Sequence, residues 1–557
     1  MTKPDPSPAS PLSGGVLRKA SALLWQAARP EARSIGWGLL WLTLAAALDA
    51  LGPVLGKAFI DRHLVPHQPG LTAMLGLLLG ALVAGGIASL LRYGQLSRLA
   101  GVAMRSVQRI RESVYSHVLR LPMAFFDTAI TGQLVSRVTN DTEAVKQLYV
   151  QVLFVMLDAL IMLASVLVTM TLLDWRLMLI VATLVPAVFA IVYVYQRISA
   201  PAVARTRELR SSLNAQAAES IAGMAVLQAS GAAPRYEARY AQVNQAHYAS
   251  RQVELRANAF LLRPALDLLN VLMLALVIAV FGLREAGGQL STVEVGVVYA
   301  FVAYIGRVVE PLIQMTMQFS QLQQAVIAAA RVNTLLEEAQ AARPQARGRV
   351  TAGEVDIRRL SFAYGEGAPV LREVDLRIAP GEFIGIVGPT GSGKSTLLSL
   401  LLRFYPVTQG ALCIDGQPIA TLDEEAFRDA VGLVPQEPFL LAATVRENIA
   451  MGRPLTDAQI QAAAEAAGAA GFIARLEQGY DTVLGEGGAR LAVGEKQLLA
   501  IARALAVRPR ILLLDEATSH IDSETEQVVQ RALAALHGQL TIISIAHRLS
   551  TIRDADR

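Results

Sequence analysis

The sequence contains little cysteine and little charge. Cys413 is its only cysteine, which excludes an intrachain disulfide and a metal site built from cysteines. Charged residues make up only 17 % of the 557 residues, whereas about 25 % is usual in soluble proteins. Hydrophobic residues reach 53 %, so membrane spans are predicted. The formal net charge of +4 is small for this length and does not by itself indicate nucleic-acid binding.

The composition changes along the chain and predicts more than one domain, because about 100–200 residues form one domain. Residues 1–15 are rich in Pro and Ser and lack the apolar core of a signal peptide, so we predict a disordered tail. A membrane domain is predicted for residues 16–339, beginning with a helix along the membrane surface over Val16–Arg33, where apolar and basic residues mix. Residues 340–353 break the apolar pattern and predict a linker. Hydropathy then falls to that of a soluble α/β domain over residues 354–557.

Six apolar segments in the membrane domain each approach or exceed the roughly 20 residues that a spanning helix needs. They are centred in Ile35–Ile60, Leu71–Leu91, Val150–Leu173, Leu177–Tyr195, Phe260–Leu283 and Val293–Met317. Basic residues concentrate in the long links after the second and fourth segments, and by the positive-inside rule these links and both termini are cytoplasmic. The arginine-rich stretches therefore fit a membrane protein better than a nucleic-acid binder.

The two long links keep apolar residues at helical spacing and contain few helix breakers. We therefore predict helices that continue out of the membrane. At 1.5 Å per residue, about 28 residues would carry their tips roughly 40 Å beyond the bilayer, against a soluble domain. The tips are predicted in residues 125–137, which begin Phe125-Phe126-Asp127, and in Glu219–Gln228.

Polar side chains also lie within the predicted spans. They are Asp49, Asp158, Asp267, Asn270, Arg307 and Glu310. Charge inside a membrane is costly, so these residues could line a substrate path. The alternative, equally open, is that they satisfy one another, as Arg307 and Glu310 could on one helix face. Gly76 and Gly80 have G-x-x-x-G spacing and predict close helix packing.

The motif that is most informative about chemistry is G-x-x-x-x-G-K-[ST]. Its residues are Gly388, Pro389, Thr390, Gly391, Ser392, Gly393, Lys394 and Ser395, and with Thr396, which follows, they form the predicted nucleotide-binding set. The apolar run Phe383–Val387 before it suits a buried strand, and the run Thr396–Leu402 after it suits a helix, as a nucleotide-binding P-loop requires. Loop N–H groups would then hold phosphate oxygens, Lys394 would reach the β/γ-phosphates and Ser395 would ligate Mg²⁺. A simple Gly/Ser turn ahead of a helix is the alternative.

Two carboxylates, Asp515 and Glu516, end the apolar run Ile511–Leu514. After a P-loop, such a pair can hold Mg²⁺ through water and can orient or deprotonate an attacking water. An acidic strand terminus without chemistry is the alternative. A soluble P-loop enzyme such as a GTPase is disfavoured by the six apolar segments.

From about Val16 to its end the chain resembles the ATP-binding cassette (ABC) transporters, and specifically bacterial multidrug-resistance-like exporter halves of the Mdl type, with six spans and one cassette. The resemblance implies that Tyr364 stacks on adenine, that Gln436 joins the γ-phosphate and Mg²⁺ site to the membrane domain, and that His547 contacts the γ-phosphate. It also places Asp522 in a loop between two cassettes and makes the segment from Phe125 to Arg137 a coupling region. The catalytic set that it implies is Glu516, His547, Gln436 and Lys394, with Mg²⁺ held by Ser395, Gln436 and Asp515.

One motif departs from this family. The signature, usually Leu-Ser-Gly-Gly-Gln, is here Leu491, Ala492, Val493, Gly494 and Glu495. In the family the signature of one cassette closes over the ATP on the P-loop of the other. Ala492 lacks the hydroxyl that would donate to the γ-phosphate, a charge-assisted bond worth about 1.5–3 kcal/mol, and Glu495 adds a carboxylate near a polyanion. A heterodimer in which a partner supplies the intact signature is our hypothesis, and a homodimer that tolerates the variant is the alternative.

The fold class that follows is a membrane α-helical domain of six spans, like that of a type I ABC exporter, followed by an α/β P-loop ATPase domain. We expect ATP-driven efflux of a small amphipathic or lipid-like molecule across the bacterial inner membrane, with ATP and Mg²⁺ as cofactors. The expected partners are a second half-transporter, membrane lipid and the small-molecule substrate, and no nucleic acid. A homodimeric lipid or peptide exporter and a non-transporting regulatory ABC protein are the rivals. Members of the family that the chain resembles continue with another strand and helix after the switch histidine, so the resemblance also implies a C-terminal truncation soon after His547.

Overall fold

A computed structural model describes residues 14–65, 70–286, 295–341, 347–365, 367–516, 523–546 and 552–557 of the chain. The predicted tail therefore lies almost wholly outside the described residues, as do residues 342–346 of the predicted linker. The structure divides into two compact units. The membrane unit comprises residues 1–119 and 131–338, and the C-terminal unit comprises residues 120–130 and 339–557.

Long helices make up the membrane unit. The described helices up to residue 337 are α1 Gly14–Ala28, α2 Ala32–Phe59, α3 Leu71–Val118, α4 Met123–Phe126, α5 Thr131–Ser136, α6 Thr142–Gln147, α7 Phe154–Leu173, α8 Trp175–Ala182, α9 Leu184–Ala222, α10 Met224–Ala229, α11 Ala233–Ala257, α12 Arg263–Ala286 and α13 Val295–Glu337. Of these, α4 belongs to the C-terminal unit. Single π-helical turns at 60–64, 137–141, 148–153 and 258–262 join several of them into longer rods.

Within the described residues, six of these continuous helical stretches are long and apolar enough to cross a bilayer, which confirms the six predicted spans. The second of them, α3, continues for 48 residues without a break and confirms the predicted extension beyond the apolar segment. The long helices α3 and α9 end at Val118 and Ala222, and the turns and short helices that follow, at residues 119–130 and 223–232, lie within or beside the two predicted tips. A tight turn joins α7 to α8. Asp174 caps the start of α8 by accepting hydrogen bonds from the N–H groups of Arg176 and Leu177 at 2.8 and 3.3 Å.

The polar residues of the spans are paired differently from the prediction. Arg92 lies 3.6 Å from Asp49 and 3.2 Å from Asp158, so that one guanidinium serves two carboxylates on different helices. The Glu310 carboxylate accepts a hydrogen bond from Gln314, one turn further along α13, at 3.0 Å. Arg307 donates instead to the main-chain carbonyl of Asp49. Four of the predicted polar residues, Asp49, Asp158, Arg307 and Glu310, therefore have partners within the chain, but Arg307 and Glu310 do not pair with each other. A substrate path along these residues stays a prediction.

Pro53 explains why Arg307 bonds a carbonyl. A proline inside a helix has no N–H for the carbonyl four residues earlier, and Pro53 lies inside α2, four residues after Asp49. Arg307 supplies the missing donor to Asp49, and Tyr304, one turn earlier on α13, donates to the carbonyl of Ala50. Two side chains of α13 thus satisfy the backbone that the proline opens in α2.

The prediction about Gly76 and Gly80 is wrong for packing within this chain. A Cβ added at either residue would meet no described atom within 4 Å. Close packing occurs instead between α2 and α3, where a Cβ at Gly94 would lie 2.4 Å from Trp41 and one at Gly38 would lie 2.7 Å from Leu99. The G-x-x-x-G spacing identifies a strip of helix surface without large side chains, but it does not say whether that strip faces a neighbouring helix.

Two sheets build the C-terminal unit. The described strands are β1 Val355–Phe362, β2 Leu371–Ile378, β3 Phe383–Ile386, β4 Gln409–Ile414, β5 Gln417–Pro418, β6 Val431–Val434, β7 Ile511–Asp515 and β8 Thr541–Ile545. One sheet is antiparallel in the order β2-β1-β4-β5, and the other is parallel in the order β3-β8-β7-β6. The described helices of this unit after residue 339 are α14 Lys394–Leu401, α15 Glu424–Ala430, α16 Val445–Ala450, α17 Asp457–Ala466, α18 Ala470–Ile473, α19 Val493–Leu505 and α20 Ser523–Leu536.

Strand β7 is covered on both faces, as its continuous apolar sequence predicts. Leu512 and Leu514 belong to a core with residues of α19, whereas Leu513 belongs to a second core with residues of α14 and of the antiparallel sheet. Successive side chains of a strand point to opposite faces. Because both faces of β7 are covered, all four residues of Ile511–Leu514 are buried. The strand therefore positions Asp515 and the next residue rigidly at its end.

Asp415 fastens the start of the C-terminal domain. Asp415 and Gly416 form the two-residue hairpin loop between β4 and β5, with φ of +51° and +73°, as an Asp-Gly loop favours. The Asp415 carboxylate accepts hydrogen bonds from the backbone N–H groups of 351–354, at 2.6 to 3.0 Å. Burial disfavours its charge, but these four donors outweigh burial and lower the pKa of Asp415.

We expect Asp415→Asn to loosen the segment before β1. Because the amide accepts more weakly and its NH₂ group clashes with nearby donors, local opening should become easier by about 1.4 kcal/mol, roughly a tenfold change. Tryptic cleavage after Arg349 in the full chain would measure this opening. The folded-state pKa of Asp415 is lowered, so protection is present above its ordinary pKa and is lost as pH falls, whereas the variant should show no such loss. Asp429→Asn, at an exposed pair with Arg453, is the control, and equal cleavage rates would contradict the role of Asp415.

Candidate nucleotide site

The site forms at one edge of the parallel sheet. The carboxyl ends of parallel strands lie at the same edge, and the predicted residues follow three of them: the P-loop follows β3, Gln436 follows β6 after Pro435, and Asp515 ends β7. Strand β8 separates β3 from β7, which puts the P-loop and Asp515 about 10 Å apart across the sheet. Residues that are far apart in sequence are thereby gathered around one opening.

The P-loop has the backbone geometry that its glycines predict. Gly391 and Gly393 have φ of +85° and +93°, a region that strains other residues. A Cβ added at Gly393 would also come within 2.7 Å of the Leu371 side chain. The loop leads directly into α14, whose first-turn N–H groups and helix dipole favour an anion. The predicted strand, loop and helix are all present.

Lys394 and Ser395 begin α14 beside the loop. The Lys394 side chain is buried, and its Nζ donates to the carbonyls of Gly388 and Pro389 at 2.8 and 3.1 Å. The ammonium is therefore held against the loop backbone, where a phosphate would compete with two neutral carbonyls. Ser395 is exposed at the opening.

Glu516 of the carboxylate pair contacts Gln436, the second residue after β6. Gln436 donates from Nε2 to Glu516 at 2.9 Å, and the Glu516 N–H donates to the Ile545 carbonyl at 3.0 Å. Glu516 has φ of +47°, so the chain turns sharply just after the strand. Burial raises the pKa of Asp515, the negative charge of Glu516 raises it further, and Lys394 opposes both. A cation bound beside these two carboxylates would offset their negative charge.

Tyr364 connects the antiparallel sheet to the P-loop helix. It lies just beyond β1, the residue is 42 % exposed, and its hydroxyl donates to Thr396 on α14 at 3.1 Å. An exposed ring beside the P-loop offers a flat surface for a base. Thr396, which the sequence assigned to ATP binding, is thus buried as the acceptor of this bond.

The signature segment begins helix α19. Ala492 and Val493 are exposed, whereas Leu491 and Gly494 are buried, and a Cβ at Gly494 would lie 2.6 Å from Thr525. The Glu495 carboxylate accepts a hydrogen bond from the Ala492 N–H at 3.0 Å. That contact is the glutamate half of a capping box, and Ala492 lacks the side-chain oxygen that would complete it. The first turn of α19 therefore carries its own negative charge.

Two predicted site residues, His547 and Asp522, lie outside the described residues. The structure brings the remaining predicted catalytic and nucleotide residues to the sheet edge, and it leaves the signature at the start of a different helix. Sequence reasoning missed Tyr405, whose ring packs against Tyr364 with centroids 5.0 Å apart. No motif marks Tyr405, and only its aromatic character follows from the sequence.

The residues fit a nucleoside triphosphate. A loop with two left-handed glycines, a helix start and a buried lysine together match a polyphosphate, and an exposed tyrosine ring stands beside them. Within the described ranges no three His, Cys, Asp or Glu side chains converge into a metal site. Mg²⁺, however, commonly takes one or two carboxylates and completes its shell with water and phosphate oxygens. Asp515 and the Ser395 hydroxyl meet that requirement.

Comparison with known families and proteins gives a consistent result. Residues 35–311 match the family described as ABC transporter transmembrane region, and residues 371–519 match the family described as ABC transporter. The multidrug resistance-like ATP-binding protein MdlB of Buchnera aphidicola is 34 % identical over 529 residues, covering 95 % of this chain and 90 % of MdlB. A fatty acid ABC transporter ATP-binding/permease protein of Mycobacterium tuberculosis is 36 % identical over 473 residues, covering 84 % of this chain and 74 % of that protein.

A solved structure agrees with these sequences. A bacterial Atm1-family ABC exporter with ATP bound has a TM-score of 0.77 and 30 % identity, covering 94 % of this chain and 92 % of its own. Its fold and the matched families bear out the predicted architecture of six spans followed by an ATPase domain. The chain therefore belongs to the ABC transporter family: it is a bacterial multi-pass membrane protein of the exporter type that binds and hydrolyses ATP.

Proposed function

We propose that this chain is the hydrolytic half of a dimeric exporter that moves a small amphipathic or lipid-like molecule across the bacterial inner membrane. The observation that carries the proposal is the gathering of the P-loop, Asp515 and the Gln436–Glu516 pair at one sheet edge, in a chain with six apolar spans. A regulatory ABC protein that only binds ATP would not need this arrangement of Glu516.

Each residue at the edge has a distinct proposed role. The N–H groups of the P-loop and Lys394 bind the phosphates, and Tyr364 stacks on adenine. Ser395, Gln436 and Asp515 would hold Mg²⁺, which neutralises charge on the β- and γ-phosphates. Glu516 would orient the attacking water and take its proton. Its carboxylate accepts a hydrogen bond from Gln436, which fixes its position at the sheet edge. By family resemblance, His547 contacts the γ-phosphate.

The signature supports a heterodimer. The start of α19 carries the Glu495 carboxylate on its first N–H group and lacks a hydroxyl at residue 492. A γ-phosphate brought there by a partner would meet a negative charge where the family offers a donor, so that site should hydrolyse poorly. A partner with an intact signature would complete the P-loop site of this chain instead. The homodimer remains the second candidate, and the two differ in the activity of the chain alone.

The substrate class is supported by an apolar cavity of about 500 Å³ in the membrane unit. Met156, Phe189, Met315 and Phe319 line it together with Gln196 and Thr316. Methionine and aromatic side chains adapt to varied apolar shapes, and the two polar groups could orient a head group. The names of two relatives, one of multidrug resistance and one of fatty acid transport, agree with a small amphipathic molecule.

The proposed orientation places both termini in the cytoplasm of the cell. The arginine-rich links after the second and fourth spans support this placement through the positive-inside rule. In sealed inverted vesicles, protease added outside should cleave the C-terminal domain. Protection of that domain from the protease would indicate the opposite orientation of the chain in the membrane.

Restoring the signature should activate the chain by itself. We expect the wild-type chain in lipid to bind ATP but hydrolyse it slowly, and Ala492→Ser with Glu495→Gln to raise Mg-ATP hydrolysis roughly tenfold or more, because a donor to the γ-phosphate returns and a charge leaves. Glutamine can still accept the Ala492 N–H. Ala458→Ser with Glu465→Gln, on exposed positions of α17, is the matched control. Brisk hydrolysis by the wild-type chain would contradict the heterodimer.

Hydrolysis should depend on Glu516. In the chain with the restored signature, Glu516→Gln should reduce phosphate release by about 100-fold or more, because the amide cannot accept the proton of the attacking water. ATP binding, followed with a fluorescent nucleotide, should persist. Glu477→Gln, at an exposed carboxylate elsewhere in the domain, should leave hydrolysis unchanged. Retained hydrolysis in Glu516→Gln would assign the base to another residue.

Filling the apolar cavity should reduce export. Met315→Trp adds volume to the cavity that Phe189 and Phe319 also line, so efflux of a fluorescent amphiphilic dye from cells should fall several-fold while nucleotide binding is unchanged. Leu283→Trp, at an exposed position of α12 outside the cavity, is the control. If Met315→Trp left efflux unchanged and only Leu283→Trp reduced it, the cavity would not be the substrate site.

A further inference from the structure

Three aromatic side chains of the C-terminal unit form a continuous contact, here called the aromatic triad. Phe362 packs against Tyr364 at 5.1 Å between ring centroids and against Tyr405 at 5.6 Å, and the two tyrosines are 5.0 Å apart. The Tyr364 and Tyr405 rings meet edge to face at 85°. Such pairs have preferred geometries, so a rotation of one ring shifts its neighbour. Phe362 is buried and gives the triad a fixed side.

One end of the triad is at the nucleotide site. Tyr364 presents an exposed ring there, and its hydroxyl is fixed on Thr396 in the first turn of α14. Tyr405 follows α14 by four residues and is half-buried. Because its ring meets the Tyr364 ring edge to face, Tyr405 supports the ring that an adenine would contact.

The other end of the triad is at the segment 120–130. The Tyr405 hydroxyl donates to the carboxylate of Asp127. This segment is further attached to the C-terminal unit by the Arg120 carbonyl, which accepts from the Ala341 N–H at 3.0 Å, and by buried Leu121. Burial and the bond to Asp127 raise the pKa of Tyr405, so its hydroxyl remains a donor at neutral pH. A neutral donor on a carboxylate is a strong type of hydrogen bond.

We propose that Tyr405 is a positioning residue that transmits the docking of adenine on Tyr364 to Asp127 and the segment 120–130. The chain continues from this segment into α3 on one side and α5 on the other. The inference rests on the proposed contact of Tyr364 with adenine, and it adds a defined route: base, Tyr364 ring, Tyr405 ring, Tyr405 hydroxyl, Asp127 carboxylate. Tyr405 acts through its neighbours and touches neither the phosphates nor the attacking water.

The lone cysteine makes a direct test practical. In the full chain, Cys413→Ala removes the only thiol, and Ile130→Cys places a nitroxide label on a residue that is 63 % exposed. We expect a non-hydrolysable ATP analogue with Mg²⁺ to change the spectrum of this label in lipid. Tyr405→Phe, which keeps the ring and removes the hydroxyl, should reduce that change at least about threefold, because the bond to the carboxylate is lost. Its nucleotide affinity, measured with a fluorescent nucleotide, should stay within about twofold of the parent.

Further variants separate the route from general damage. Asp127→Ala should reproduce the loss, and the double variant should be no worse than either single one, as for two residues in one interaction. Tyr480→Phe removes the hydroxyl of another half-buried tyrosine and should keep the full response. Inorganic tripolyphosphate has no base and should give little response in the parent.

The outcomes are distinct. An unchanged label response in both Tyr405→Phe and Asp127→Ala would overturn the inference, as would a full response to tripolyphosphate or no response to the nucleotide in a parent that binds it. Failure of the underlying proposal would be recognised separately. If Tyr364→Ala left nucleotide affinity unchanged, adenine would not contact Tyr364, whatever the label reports.

Discussion

The site depends on one constraint: a polyphosphate must be met by backbone N–H groups that are free, close together and rigid. Interior strands and helices use their N–H groups internally, whereas a turn from a strand into a helix leaves the N–H groups of the loop and of the first helical turn free. The turn from β3 into α14 satisfies this constraint through two left-handed glycines, and it does so beside strand β7, whose end places Asp515 and Glu516 nearby. The other features of the C-terminal domain hold this edge in place, from the two cores on either face of β7 to the Tyr364 bond on α14.

The sequence predicted what depends on local pattern. Six apolar stretches, the P-loop context and the carboxylates at the end of Ile511–Leu514 each follow from residues that are adjacent in the chain, and each is present in the structure. The prediction of Gln436 as a site residue required the family pattern, because the residues around it do not indicate a partner 80 residues away. The roles of these residues in catalysis remain predictions, because geometry places groups without showing their chemistry.

What the sequence could not predict depends on contacts between distant segments. Tyr405 and Asp127 are 278 residues apart and carry no shared motif. The G-x-x-x-G spacing at Gly76 and Gly80 looked like a packing surface, whereas other glycines, among them Gly38 and Gly94, are the ones that face a neighbouring helix. Arg307 appeared to have an obvious partner one turn away, but the carbonyl left open by Pro53 is a stronger attraction, because a backbone acceptor without a donor in an apolar medium costs several kcal/mol. Such competition is decided only when the helices are in place.

The uninterrupted length of α3 has a mechanical consequence. This helix runs for 48 residues without proline, about 70 Å, from the apolar segment that begins at Leu71 to the turn before Arg120. A rod of that length acts as a lever: a tilt of about 10° about one end moves the other end by roughly 12 Å. A small tilt of the apolar part of α3 therefore becomes a large displacement at its far end. Conversely, a shift of one or two ångströms in the segment 120–130 corresponds to only about a degree or two of helix tilt in the membrane.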